Sequence, residues 1–121
     1  MSWDFFKLEE FACRCGCGQN KIDHQFVTKL DWLRGELGFP LAINSGYRCP
    51  EHNAAVSSTG LTGPHTTGLA SDVRIAGEPA WELLEQAFKM KFRGIGVNQK
   101  GEWPQRYIHL DILDRKRVWS Y

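Results

Sequence analysis

Apolar residues recur at Phe26, Leu30, Leu33 and Leu37, with spacings of four, three and four. Such a stripe is one face of an amphipathic helix. Asp23 stands where an N-cap belongs, and Gly38 followed by Pro40 is a stop signal. A second helical pattern from Pro79 to about Lys91 is expected to bury Trp81, Leu84 and Phe88. Pro50 opens a short helix through Val56, since proline suits the first helical position. Period-two alternation marks strands. In Tyr107–Ile112, Ile108, Leu110 and Ile112 alternate with Tyr107, His109 and Asp111. In Leu69–Ile75, one face holds Leu69, Ser71, Val73 and Ile75, and the other Ala70, Asp72 and Arg74. Leu41–Ile43 and Gly94–Val97 are shorter strands, with turns at Asn44–Arg48 and Asn98–Gln105. Residues 57–68 read as a long polar loop, which in a small domain is commonly functional. The pattern predicts an α+β fold: a small antiparallel or mixed sheet with helices packed on one side.

At 121 residues the chain makes one domain, residues 1–121. Hydrophobic residues at 42% and charged residues at 24% fit a folded globular protein. Fifteen basic against 14 acidic side chains leave a net charge of +1, too little for broad binding to a nucleic-acid backbone. No apolar run is long enough to span a membrane. Residues 1–20 carry Asp4, Lys7, Glu9 and Glu10 and lack the apolar stretch of a secretory signal. Synthesis in the cytoplasm and a monomeric state are the expectations.

Strand alternation places His109 and Asp111 on one face, and Asp72 on the more polar face of its own strand. His65 precedes Asp72 by seven residues, across a flexible Thr-Thr-Gly segment. Two histidines and a carboxylate suit Zn²⁺ with a fourth position left for water, provided the strands are neighbours. Spacing alone leaves the plainer alternative standing: an exposed loop histidine, a satisfied strand carboxylate and a core histidine.

Gly63-Pro64-His65-Thr66-Thr67-Gly68-Leu69-Ala70-Ser71-Asp72 resembles the His-x₆-Asp zinc signature of the M15 metallopeptidases, the D-Ala-D-Ala carboxypeptidase family. Ser45-Gly46-Tyr47-Arg48 resembles the segment that precedes it, and Tyr107-Ile108-His109-Leu110-Asp111 the segment carrying the last ligand. The N-terminal aromatic and cysteine-rich segment and the Leu30–Arg34 helix are similar to small phage and bacterial members. The resemblance implies that His65, Asp72 and His109 are zinc ligands and that the substrate is a peptidoglycan stem peptide.

Two positions depart from that pattern. Gly63 stands where many relatives have serine, and Arg106 where several carry an acidic general base. Arginine accepts no proton at neutral pH. Asp111 is the first candidate for the base and Glu102 the second, while an orienting role is the alternative for Asp111. Arg48 is suited to clamp a carboxylate or stabilise an oxyanion, with a surface salt bridge as its plain alternative. Ser45 is a weaker candidate for substrate binding. His24 and His52 are read as structural or solvent-facing, and Arg115-Lys116-Arg117 as a solvated tail.

Cys13, Cys15, Cys17 and Cys49 admit three readings: a structural metal site, a disulfide to Cys49, or free thiols. The one-residue spacing is unusual for zinc, and a reducing compartment disfavours a bridge. The expected function is zinc-dependent hydrolysis of a peptidoglycan amide bond, in a phage lysis enzyme acting on the wall after release. The rival is a non-catalytic binding module of the same fold, kept open by Arg106.

Overall fold

The computed structural model describes residues 2–121. Helix α1, His24–Leu37, begins where the Asp23 carboxylate accepts the Phe26 N–H at 2.9 Å. It ends at Gly38, whose φ of 77° suits glycine. Phe26, Val27, Leu30 and Leu33 of α1 are buried. Asp31 on the same helix accepts the Asp4 and Phe5 N–H groups and so pins the N-terminal segment to α1.

Five strands form one sheet in the order β1-β2-β4-β3-β5. They are β1 (Ala42–Ser45), β2 (Ala70–Arg74), β3 (Gly94–Asn98), β4 (Tyr107–Asp111) and β5 (Arg117–Ser120). The first four pair antiparallel, while β5 lies parallel to β3, so the sheet is mixed. One face carries Val73, Ile95, Ile108 and Leu110 into the core shared with α1 and α3 (Gly77–Lys89). Helix α2, Pro50–Val56, lies apart from that layer beside a cleft on the other face.

Three expectations needed correction. Helix α3 buries Ala80, Leu83 and Ala87, while Trp81 and Phe88 are 71% and 59% exposed and Leu84 is only partly covered. The two stripes have the same spacing and differ by one residue, or about 100° of helix rotation. Small side chains at 80 and 87 face the core, where α3 packs against α1. Second, Arg117 is no solvated tail but the start of β5, paired with Gly94. An exposed edge strand, with Val118 66% exposed, carries little apolar patterning to announce it. Third, β1 continues through Asn44 and Ser45, because pairing of Ser45 with Asp72 outweighs local turn preference.

The loop at 57–68 folds back over the sheet. Its last part is a 3₁₀ turn, Pro64–Thr67, which buries His65. The turn ends at Gly68, with φ of 79° and its carbonyl accepting the Asp23 N–H at 2.9 Å. A side chain there would collide with the Lys21 carbonyl, so the position demands glycine twice over.

Candidate metal centre

The register across the sheet builds the site. Asp72 on β2 pairs directly with His109 on β4, which pairs with Gly96 on β3, which pairs with Trp119 on β5. These four positions form one row on the cleft face. His65 enters from the 3₁₀ turn, its ring centre 5.1 Å from that of His109. His65 Nε2 lies 3.3 Å, and His109 Nδ1 3.1 Å, from the same Asp72 Oδ1.

The second nitrogen of each ring fixes its tautomer. His65 Nδ1 lies 2.8 Å from the Gly46 carbonyl, which can only accept, so Nδ1 carries the proton. His109 Nε2 is 2.7 Å from Asp111 Oδ2, and an ionised carboxylate likewise takes that proton. The remaining nitrogens, His65 Nε2 and His109 Nδ1, both face Asp72 and would be lone pairs around a metal ion. Three buried acceptors facing one another repel unless a positive charge stands between them. In the chain alone a proton meets part of that need. Burial opposes ionisation of Asp72, but hydrogen bonds from His109 and His65 outweigh it and hold the carboxyl well below its usual range. Burial also opposes protonation of His109, but Asp111 and Asp72 overcome it and push the ring up.

The donor set fits a metal ion. Ligands bound at about 2.0–2.1 Å in a tetrahedron stand roughly 3.3 Å apart, close to the separations found here. Each histidine also has the outer hydrogen-bond partner that metal-binding imidazoles usually show.

Arg48 borders the centre. Its Nη2 donates to Asp72 Oδ2 at 3.3 Å, its Nε to Ser45 Oγ at 3.1 Å and its Nη1 to Asn53 Oδ1 at 3.1 Å. Asn53 is buried and donates in turn to Thr59 Oγ1 and the Gly60 carbonyl. The Gly46–Arg48 segment is itself packed tightly: a Cβ on Gly46 would lie 2.7 Å from the Phe11 backbone.

The cleft holds about 460 Å³ and is lined by His65, Asp72, His109, Arg48, the rim of the 57–59 loop, and Tyr107, Arg115, Arg117, Trp119 and Tyr121. Among the described residues that line it, Asp72 is the only one with a carboxylate side chain, against three arginines. The Trp119 and His109 rings are 4.8 Å apart. Nothing in the sequence reading pointed to Asn53 or to the β5 aromatics. A clue lay in Arg117-Val118-Trp119-Ser120-Tyr121, a short alternation beside basic residues.

Asp111 shares the face of His109, as strand alternation requires, but it is fully buried and does not line the cleft. Its Oδ1 accepts from Leu113 N–H and Arg115 Nη1, at 3.2 and 3.1 Å. The His109 ring stands between it and Asp72. Glu102 is exposed at the head of the Trp103–Gln105 turn, also outside the cleft wall. Arg106 donates to the Gly101 carbonyl and lies over Trp103. His24 is exposed against Trp3, and the His52 N–H donates to Cys49 Sγ.

Asp111 has room only because β3 presents glycine opposite it. A Cβ on Gly94 would overlap the Asp111 carboxylate, and one on Gly96 would come within 2.5 Å of the Trp119 indole. Gly94→Ala is expected to displace Asp111 and cost about 1–3 kcal/mol, as overpacking typically does. Thermal denaturation checks this, and an unchanged midpoint would refute the close fit.

Fold and site together define a small α+β protein with a buried His-Asp-His cluster, of a kind that could hold a metal ion, at the base of an arginine-lined cleft. The family model of the M15 peptidases matches residues 4–111, which include all three cluster residues. The chain belongs to the peptidase M15 family, a family of metallopeptidases. No curated protein matches it.

Proposed function

We propose that the protein is a zinc-dependent peptidase that cleaves an amide bond in bacterial peptidoglycan peptides, with His65, Asp72 and His109 as the ligands. The observation that carries this reading is the convergence of three buried acceptor groups in a cleft with Arg48 beside them. A bound zinc supplies Lewis-acid polarisation of the scissile carbonyl and activation of a water at neutral pH. Arg48 holds Asp72 in place and, with three of its five N–H groups donated to Ser45, Asn53 and Asp72, keeps two for a substrate carboxylate or a developing oxyanion. Ser45 acts through Arg48, by fixing its guanidinium. Arg115 and Arg117 on the wall favour a peptide bearing carboxylates, and Tyr107, Trp119 and Tyr121 offer ring faces to its apolar parts.

In this reading Asp111 is a positioning residue, replacing its expected role as base. Sealed behind His109, it keeps the proton on Nε2 and the Nδ1 lone pair free for metal. An asparagine there can donate to Nε2 and favour the opposite tautomer. Asp111→Asn is therefore expected to weaken metal binding by about 10–100-fold, read by competition with a chelator. Glu102→Gln should alter neither affinity nor turnover. A base at Asp111 would give another result: unchanged affinity with turnover down roughly 10²–10⁴-fold.

Mass spectrometry of peptidoglycan incubated with the zinc-loaded protein tests the activity and identifies the bond. New stem-peptide fragments, absent with His65→Ala, support the reading. Clearing of a suspension of cell-wall sacculi extends it to a lysis enzyme of the phage type. A second reading, a binding module, draws on Asp72 being the one carboxylate side chain among the described residues that line the cleft. Retention of the protein on sacculi with no fragments released would favour it.

A further inference from the structure

We propose that Cys13, Cys15, Cys17 and Cys49 form a second metal site, a tetrathiolate centre for structural zinc, separate from the His65–Asp72–His109 cluster. All four Sγ atoms lie within 4.8 Å of one another. Cys15 Sγ is 3.5 Å from Cys13 Sγ and 3.7 Å from Cys49 Sγ. Sulfurs bonded at about 2.3 Å to one tetrahedral ion stand roughly 3.8 Å apart, whereas a disulfide brings two of them to about 2.05 Å. All four cysteines are free thiols, so the packing is that of ligands around a point and not of a bridge.

The one-residue spacing, unusual for zinc, is resolved by the backbone. In a straight strand alternate residues are about 7 Å apart along the chain, too far for sulfurs to share an ion easily. Residues 14–17 instead make a turn, with Gly16 at φ 87° and Gly18 at φ 80°. A Cβ on either glycine would meet nothing within 4 Å, so these positions serve the left-handed backbone and not a lack of space. The Cys13 N–H closes the loop on the Gln19 carbonyl at 3.0 Å. Cys49 reaches it from the end of the Gly46–Arg48 segment that follows β1.

Backbone donors are already aimed at the sulfurs. Cys13 Sγ accepts the Cys49 N–H at 3.3 Å, Cys17 Sγ the Gln19 N–H at 3.4 Å and Cys49 Sγ the His52 N–H at 3.4 Å. Such bonds stabilise thiolates, the form that binds metal. Soft sulfur donors in a tetrahedral set select zinc over oxygen-seeking cations such as magnesium and calcium. Cys13 and Cys49 are buried and Cys15 and Cys17 exposed, so an ion enters from the solvent side. Once bound, it ties the N-terminal segment to the residue that follows Arg48. The second centre therefore braces the turn on which the cleft arginine stands.

The test is metal content of the full chain, loaded with zinc and freed of excess. Two zinc ions per chain are expected, one lost in Cys15→Ser/Cys17→Ser and the other in His65→Ala/His109→Ala. The two losses are independent, so this centre stands or falls apart from the activity proposed above. Loading with cobalt supplies a signature that needs no variant: thiolate-to-cobalt charge-transfer bands in the near ultraviolet, retained in the histidine variant. A thiol-directed mercurial added to the wild-type zinc protein should release one equivalent of zinc to a chromophoric indicator. Cobalt spectra without thiolate bands, or zinc that only the histidine substitutions remove, would overturn the proposal. So would a disulfide among these cysteines, detected by mass before and after reduction. Should the cysteine variant fail to fold, the cobalt and mercurial measurements on the wild-type chain decide.

Discussion

His65→Ala is expected to remove the metal ion of the cleft and to bring peptide hydrolysis down to the uncatalysed background. In the proposed centre the ring supplies one of three protein ligands, and among the described residues the cluster has no further donor to replace it. Its removal frees the Gly46 carbonyl and takes one neighbour from Asp72, which keeps His109 and Arg48, so the fold should persist. His109→Ala should lose the metal too, but with a larger structural cost. Asp111 would keep Leu113 N–H and Arg115 while losing its shortest hydrogen bond inside the core. Leaving a buried polar group short of a partner typically costs about 1–3 kcal/mol. Metal analysis of each variant, with circular dichroism to confirm folding, measures both effects. Full metal occupancy in His65→Ala would refute the ligand assignment.

Arg48 carries the second large effect. Arg48→Ala is expected to lower turnover about 10²–10³-fold, the usual loss when one donor to a developing oxyanion is removed. Arg48→Lys should recover little and remain at least about tenfold below the wild type. The guanidinium spans Ser45, Asn53 and Asp72 with nitrogens set in a plane, and an ammonium reaches at most part of that set. The cleft metal should stay bound in the lysine variant, because His65 and His109 keep their own outer partners. Steady-state kinetics on a released peptidoglycan peptide, beside metal content, separates the roles. Loss of turnover with metal retained marks Arg48 as a substrate-side residue. Loss of both would make it a support for Asp72 alone, and no change in either would place it outside the machinery.

Much of the fold was legible wherever one physical rule acted on a short stretch of chain. The α1 stripe with its Asp23 cap and Gly38 stop is local, and so is the alternation in β4 that sets His109 and Asp111 on one face. The same rule failed for α3, where two stripes of equal spacing compete. The larger side chains mark the wrong one, because Ala80 and Ala87 win by fitting the core. It failed again for β5, whose pairing with β3 is decided by the far partner and not by the sequence of Arg117–Ser120.

For the site, the sequence by itself singled out the candidate residues: His65, Asp72 and His109 in motif order, and Arg48 ahead of them. Their spacing alone left the plainer alternative standing, because local alternation fixes only the face on which each strand residue lies. Only the tertiary structure decided which groups meet. Register across β2, β4, β3 and β5 aligned Asp72, His109, Gly96 and Trp119 in one row, and the Gly46 carbonyl and Asp111 set the two imidazole tautomers. It also buried Asp111, the expected base, away from the cleft wall, and drew three closely spaced cysteines together with a fourth far along the chain. The physical reason is the range of the forces. Period and capping act within a few residues, whereas strand register, ring orientation and burial depend on groups remote in sequence whose meeting only the folded chain enforces.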